Sequence, residues 1–199
     1  MKRYLIFFLI FAFIISVGRH NLFSSETTPE EKTKGKNPSE KKTTNLTWYK
    51  YDEGLAKAKK EKKHIMVNFY TKWCGWCKRM DRYTFGDEEV KKVLNESYVA
   101  VKVNAQSGEK VKVDGKQISE RQLAGMYRER AYPSTWFLKS SGERIAPRRG
   151  YVGAEEFLYI LNWVKDDLYE KIGFAEFVKQ QQKKKKIRKE TKQIGILQP

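Results

Sequence analysis

The chain has 199 residues, of which 40% are hydrophobic and 14% aromatic, so it can form a packed core and is not a wholly disordered protein. That length suits one domain with terminal extensions. Its formal net charge is +17, but residues 1–46 carry +4 and residues 179–199 carry +7 of it. The central part is only mildly basic, which argues against a nucleic-acid partner.

Residues 1–18 have the pattern of an export signal. Lys2 and Arg3 precede residues 4–17, a strongly apolar run without a charge. The run suits a secretory signal peptide and is shorter than the roughly 20 residues that span a bilayer. We therefore expect an exported protein, in the periplasm or at the extracytoplasmic face of the membrane. The pattern leaves open whether the segment is a cleaved signal peptide or an N-terminal membrane anchor.

Residues 19–46 are mostly Ser, Thr, Glu, Lys, Asn and Pro, a composition that predicts a disordered polar linker. Residues 47–172 are expected to form one α/β domain, because short apolar runs alternate with runs of helical periodicity. A charge run that includes residues 183–186 marks residues 173–199 as a basic C-terminal tail. Such a run is expected to be a solvated, frayed end or to contact an anionic membrane surface or another acidic partner.

The elements of the α/β domain are predicted from periodicity, caps and turn signals. The first half of the domain should contain an edge strand at 48–51, a helix from an Asp52 cap to 63, a strand at 65–70, and a helix from 74 to 94 with a kink near Gly86. A strand at 98–103 and a hairpin at 110–118 around Asp114-Gly115 should follow. The second half should contain a helix that begins with a capping box at Ser119 and Gln122 and ends at 127, a strand at 134–138, a strand from 144, and a helix from about 157 to Leu168. The last two strands are joined by a tight turn, so the sheet should have mixed strand directions.

Cys74 and Cys77 are the only cysteines and lie at the predicted junction of a buried strand and a helix. The thiolate is the nucleophilic form of cysteine, and a helix N-terminus stabilises it through its partial positive charge and free N–H groups. We expect Cys74 to occupy that position, with Cys77 one turn inward, shielded from solvent but within reach of the first sulfur. Four neighbouring cations favour the thiolate further: Lys72, Lys78, Arg79 and Arg82.

Two other interpretations of the cysteine pair are weaker. A structural zinc site needs four ligands, and the chain offers no second cysteine pair and only His20 and His64 as histidines. No metal is therefore expected. Two inert buried cysteines would not require a helix start with Gly75-Trp76 between them.

Three separated motifs resemble the thioredoxin superfamily. The first is the run Trp73-Cys74-Gly75-Trp76-Cys77 after a buried strand, the second is Val101–Asn104, and the third, Ala131–Thr135, resembles the cis-proline loop of that family. The resemblance covers roughly residues 48–168. The run Trp73–Met80, followed by Thr84-Phe85 and Glu88–Val90, is similar to exported bacterial thioredoxin-like proteins. These are distinct from the cytosolic Cys-Gly-Pro-Cys type.

The resemblance implies a thioredoxin fold, a central mixed β-sheet flanked by helices, with the hairpin at 107–118 as a small insertion. It implies a thiol–disulfide oxidoreductase in which Cys74 attacks and Cys77 resolves, with the dithiol as the redox group and no further cofactor. The implied partners are protein disulfide substrates and a membrane thiol donor. The supporting residues would be Trp73, Gly75, Trp76, Lys102 and Asn68, and substrate would contact Trp76, Tyr132 and Pro133.

The backbone of Tyr132 should be free to pair with an extended peptide if the Tyr132–Pro133 bond is cis. Trp73, Trp76 and Tyr132 would form an apolar rim around the sulfur, although core packing is the favoured interpretation for Trp73. Asn68 departs from the family, which has a buried Asp that helps to deprotonate the second cysteine. Because an amide cannot accept that proton, we expect the step to depend on Lys102, water or the substrate.

The favoured function is an exported reductase of protein disulfides. A disulfide oxidase or isomerase of the same fold is an alternative, because the exchange cycle can run in the opposite direction. A non-catalytic binding module with the same fold is a second alternative.

Overall fold

The computed structural model describes residues 45–193. The predicted signal or anchor and nearly all of the predicted linker therefore lie outside the described residues. The seven strands within this range are β1 Trp48–Tyr49, β2 His64–Tyr70, β3 Tyr98–Asn104, β4 Lys110–Val113, β5 Lys116–Ser119, β6 Ser134–Leu138 and β7 Arg144–Arg149. The α-helices are α1 Tyr51–Glu61, α2 Gly75–Tyr83, α3 Glu88–Ser97, α4 Glu120–Met126, α5 Ala154–Lys165 and α6 Phe174–Gln193.

The main sheet has the strand order β1-β3-β2-β6-β7. The first three strands are parallel, whereas β6 and β7 are antiparallel to their neighbours. The predicted thioredoxin fold with a mixed sheet is therefore confirmed. The predicted hairpin is also confirmed, as a separate two-stranded sheet of β4 and β5, with Asp114 and Gly115 at positive φ in its turn.

Side chains alternate across the central strands and divide the core into two layers. One layer contains Val67 and Phe69 of β2 and packs against α1, α4 and the β4–β5 hairpin. The other contains Met66 and packs against α2, α3 and α5. Asn68 and Lys102 are directly paired in register and belong to this second face, because Met66 and Ala100 precede them by two residues.

Several predicted boundaries need correction. Lys50, not Asp52, holds the N-cap position of α1, and Asp52 lies in the first helical turn. The predicted helix from 74 to 94 is two helices, because Asp87 caps α3 with hydrogen bonds from the Glu89 and Val90 amides. The chain turns sharply at Gly86, where a Cβ would lie 2.2 Å from the carbonyl oxygen of Arg82. Only glycine fits so close an approach.

The C-terminal part of the described chain is more ordered than the charge run indicates. The α5 helix ends at Lys165, and Leu168 begins a 3₁₀ turn. Residues 174–193 form α6, so the expected frayed end is wrong for this part of the tail. The helix packs through Phe177, which is buried, and through Phe174, whose ring centroid lies 5.5 Å from that of Trp163. The predicted capping box of α4 is confirmed.

Candidate redox site

Cys74 and Cys77 form a disulfide where the chain passes from β2 into α2, with Cα atoms 5.3 Å apart. Cys74 is the N-cap residue of α2, as predicted, and its Sγ accepts a hydrogen bond from the Cys77 amide at 3.1 Å. A sulfur atom therefore takes the place that Ser or Asp oxygen fills at most helix starts. The first turn contains no acidic residue. Negative charge on the Cys74 sulfur would thus be stabilised by the Cys77 amide and by the positive end of the helix.

The α2 helix buries one side and exposes the other. Cys77 and Met80 face the core, and both cysteines are at least 95% buried in the disulfide form. The exposed side carries aromatic and basic residues in a continuous strip, Trp76, Lys78, Arg79, Arg82 and Tyr83. Three of the four predicted cations near the site are therefore on one exposed helix face, and Lys72 is exposed just before it.

Both tryptophans of the motif are exposed, Trp73 by 69% and Trp76 by 59%. The expected core packing of Trp73 is therefore wrong. The Trp76 ring lies with its centroid 5.5 Å from that of Tyr151, a residue that follows β7. The helix carrying the cysteines thus contacts the loop after the last strand through an aromatic pair that the sequence interpretation did not include.

The Tyr132–Pro133 peptide bond is cis, as predicted. Neither backbone group of Tyr132 is paired with another backbone group within residues 45–193. Its hydroxyl donates to the carbonyl of Glu129 at 3.3 Å, and burial, followed by the charge of Glu129, raises the pKa of Tyr132 and keeps that hydroxyl protonated. The Gly150 amide donates to the Pro133 carbonyl at 2.8 Å, which ties this loop to the segment that carries Tyr151.

Asn68 is buried, and its side-chain amide donates to Thr135 Oγ1 at 3.2 Å. Lys102, beside it in the sheet, does not bond to it. The Lys102 ammonium lies 2.6 Å from Asp81 of α2 and about 5 Å from the ring centroids of Trp48 and Tyr70. The Lys102 ammonium is therefore engaged by Asp81 and by two aromatic rings, and within residues 45–193 it makes no hydrogen bond to Cys77.

Glu129 was also missed by the sequence interpretation. Its side chain is fully buried, and Oε1 accepts hydrogen bonds from Trp136 Nε1 at 2.6 Å and from Arg149 at 3.3 Å. It connects β6 and β7 just before the Tyr132–Pro133 loop. The sequence gives no signal that a lone acidic residue in a loop accepts these hydrogen bonds. Trp136 and Arg149 lie on different strands, and only the pairing of β6 with β7 places both of them beside Glu129.

No group of three or more His, Cys, Asp or Glu side chains within residues 45–193 is arranged to hold a metal ion. The group with redox chemistry in this part of the chain is the cysteine pair itself. None of the helices in the same range has the length and apolar character required to cross a membrane.

Comparison with known proteins is consistent with this geometry. A family model for the thioredoxin-like domain matches residues 51–165. The chain is 28% identical over 97 residues to the thiol:disulfide interchange protein DsbD of Photorhabdus laumondii, covering 48% of this chain and 15% of that protein. It is 33% identical over 105 residues to protein disulfide-isomerase of Oryctolagus cuniculus, covering 52% of this chain and 18% of that protein.

Among solved structures, a thioredoxin from Thermus thermophilus matches with a TM-score of 0.50 and 28% identity, covering 61% of this chain and 88% of that one. The DsbH oxidoreductase matches in fold with a TM-score of 0.50 and 22% identity, over 64% of this chain and 91% of that one. The chain spans less than a fifth of the length of the two curated relatives above.

Proposed function

The chain belongs to the thioredoxin-like domain family, and from this premise we propose that it is a thiol–disulfide oxidoreductase whose redox group is the Cys74–Cys77 pair. The observation that carries the proposal is the position of Cys74 at the N-cap of α2, with Cys77 one turn inward and bonded to it. Inert cysteines need no helix start, and a helix start is what favours a reactive thiolate.

In the reducing direction, the Cys74 thiolate attacks one sulfur of a protein disulfide. A mixed disulfide forms and the other substrate sulfur leaves as a thiolate. Cys77 then loses its proton and attacks Cys74 Sγ, which releases the second substrate sulfur and closes the Cys74–Cys77 disulfide. Two electrons and two protons pass to the substrate, so a dithiol donor must reduce the pair again.

We assign supporting roles from the contacts around the disulfide. Trp73, Trp76 and Tyr132 would form the surface that a substrate meets, and the unpaired backbone of Tyr132 beside Pro133 would bond to an extended substrate segment. A Cβ at Gly75 would meet open space, since nothing lies within 4 Å of it, so Gly75 would leave the surface beside Cys74 free of a side chain. Asn68 and Lys102 would act on the resolving step indirectly, through the buried layer beneath α2.

The location is proposed as exported, with residues 1–18 as signal or anchor, 19–46 as linker, 47–172 as the catalytic domain and 173–199 as a basic extension. This proposal is supported by the charged start and apolar run of the sequence. In an oxidising compartment a reductase needs electrons from the other side of a membrane. The proposed partners therefore include a membrane thiol donor. The exposed basic side of α6 would contact the anionic membrane surface.

Two measurements test the activity and its direction. The 199-residue chain should catalyse insulin reduction by dithiothreitol, and Cys74→Ser should abolish that catalysis. A Cys74→Ser protein that keeps its biological effect would favour a binding module instead. Equilibration of the Cys74–Cys77 couple with glutathione should give a potential near about −270 mV for a reductase. A value near about −120 mV would contradict the reducing direction and favour an oxidase.

A further inference from the structure

The exposed face of α2 forms a shallow groove that begins beside Cys74. Its volume is about 540 Å³, and its lining residues are Gly75, Trp76, Lys78, Arg79, Arg82 and Tyr83. Trp76, Arg79 and Tyr83 are three and four residues apart, so they lie above one another on the same side of the helix. The groove is thus made of two aromatic residues and three cations.

Arg79 is held in this groove by aromatic rings rather than by a carboxylate. Its guanidinium carbon lies 5.7 Å from the ring centroid of Trp76, 5.4 Å from that of Tyr83 and 5.7 Å from that of Tyr151. Contact with ring faces orients a guanidinium but does not use its N–H groups, which point outward in the plane of the group. Arg79 therefore offers hydrogen-bond donors in a fixed position.

The positive charge of the groove has no partner within residues 45–193. Lys78, Arg79 and Arg82 form no ion pair with any carboxylate in that range, and neither does Lys72. Three other cations of the domain are paired, Arg148 with Glu156, Arg149 with Glu129 and Lys102 with Asp81. Asp81 is the one acidic residue of α2, and it faces the sheet. The groove thus lacks a negative charge of its own.

Resting on the proposed function, we propose that this groove binds an acidic segment of the substrate polypeptide next to the disulfide that Cys74 attacks. A carboxylate matches the fork geometry of arginine, and the flanking rings suit the apolar parts of a peptide. From Cys74 to Arg82 the helix rises about 12 Å. An extended peptide covers that distance in about four residues, so the recognised Asp or Glu lies within about four residues of the substrate cysteine.

The experiment uses two peptides with the same internal disulfide, one flanked by Glu and the other by Lys. The 199-residue chain is reduced, freed from reductant and mixed with excess peptide, and the second-order rate of its oxidation is followed. Arg79→Gln/Arg82→Gln is compared with the matched pair Lys59→Gln/Lys60→Gln, which removes two exposed charges from α1 on the opposite face of the sheet.

The native chain should react about tenfold faster with the acidic peptide at low salt, and the ratio should fall toward one at 0.5 M salt. In Arg79→Gln/Arg82→Gln the ratio of the rate with the acidic peptide to the rate with the basic peptide should fall most of the way to one, whatever the change in the absolute rates. The Lys variant should keep the native ratio. Equal rates with both peptides would overturn the inference and leave the oxidoreductase function standing. Equal loss of preference in the two variants would also overturn it. Reduction of neither peptide would overturn both proposals.

Discussion

The ammonium of Lys102 lies 2.6 Å from the carboxylate of Asp81, although its neighbour in the sheet on the same face is the neutral Asn68. The charge of Lys102 is therefore balanced by a carboxylate of α2 rather than by a residue of β2. The layer beneath the disulfide contains one matched ion pair and a buried amide. No carboxylate on β2 is available there to accept the Cys77 proton.

Asn68→Asp should raise the rate of insulin reduction, because it supplies the missing proton acceptor. It should also lower the free energy of unfolding at pH 7 by about 3 kcal/mol, because Lys102 is already paired and the new charge is buried. That loss should shrink as the pH falls and the carboxyl becomes protonated. Asn104→Asp, at the more exposed end of β3, is the control and should do neither. An unchanged or lower rate in folded Asn68→Asp would show that another group already serves as the base.

Glu129→Ala should destabilise the protein by about 2–4 kcal/mol in urea unfolding, because the Trp136 N–H and Arg149 lose a fully buried acceptor. It should also slow insulin reduction, since Glu129 positions the segment before Tyr132 and Pro133. Glu143→Ala removes an exposed carboxylate that pairs with Lys139 and should leave both quantities unchanged. Similar stability losses in the two variants would contradict the structural role of Glu129.

Burial raises the pKa of Glu120 at the start of α4. A carboxyl whose pKa is higher in the folded state destabilises that state once it ionises, and this cost is absent below about pH 4. Glu120→Gln should therefore raise the melting temperature by a few degrees at pH 7, and the gain should disappear at pH 3.5. Glu96→Gln, on the exposed side of α3, is the control. A gain that persisted at pH 3.5 would mean that ionisation is not its cause.

The membrane proposal assigns the contact to α6, where Lys183–Lys186 are exposed. The 199-residue chain should bind anionic vesicles in low salt and dissociate by about 0.5 M salt, where screening is nearly complete. Replacing those four lysines with Gln should weaken that salt-sensitive binding without changing insulin reduction. Replacing Lys59, Lys60, Lys112 and Lys116 with Gln removes as many charges from α1 and the hairpin and should have no effect. Equal weakening by both sets would place the contact elsewhere.

Features set by nearby residues were predicted well from the sequence. The Ser119–Gln122 capping box, the Asp114-Gly115 turn and the apolar β2 and β3 depend on neighbours in the chain, and the structure has all of them. The position of Cys74 at a helix start followed from the same local logic.

Features set by contacts between distant segments were not predicted. The Trp76–Tyr151 contact joins α2 to the segment after β7, and the Glu129–Arg149 ion pair joins the loop before β6 to β7. Both contacts depend on how the sheet places segments that are distant in the sequence. The exposure of Trp73 was not predicted for the same reason: whether a loop side chain is buried depends on which distant segments pack against it. The α6 helix was missed because a run of like charges hides the good helix propensity of Lys and Gln.

Trapping of reaction intermediates tests most directly the claim that Cys74 attacks and Cys77 resolves. Cells that express Cys77→Ser or Cys74→Ser are quenched with acid, alkylated and resolved by non-reducing electrophoresis. Cys77→Ser should accumulate mixed disulfides with other proteins, because its Cys74 can attack but nothing releases the product. Cys74→Ser should accumulate none. Equal trapping by the two variants would contradict the assigned roles, and trapping by neither would contradict the proposed exchange reaction.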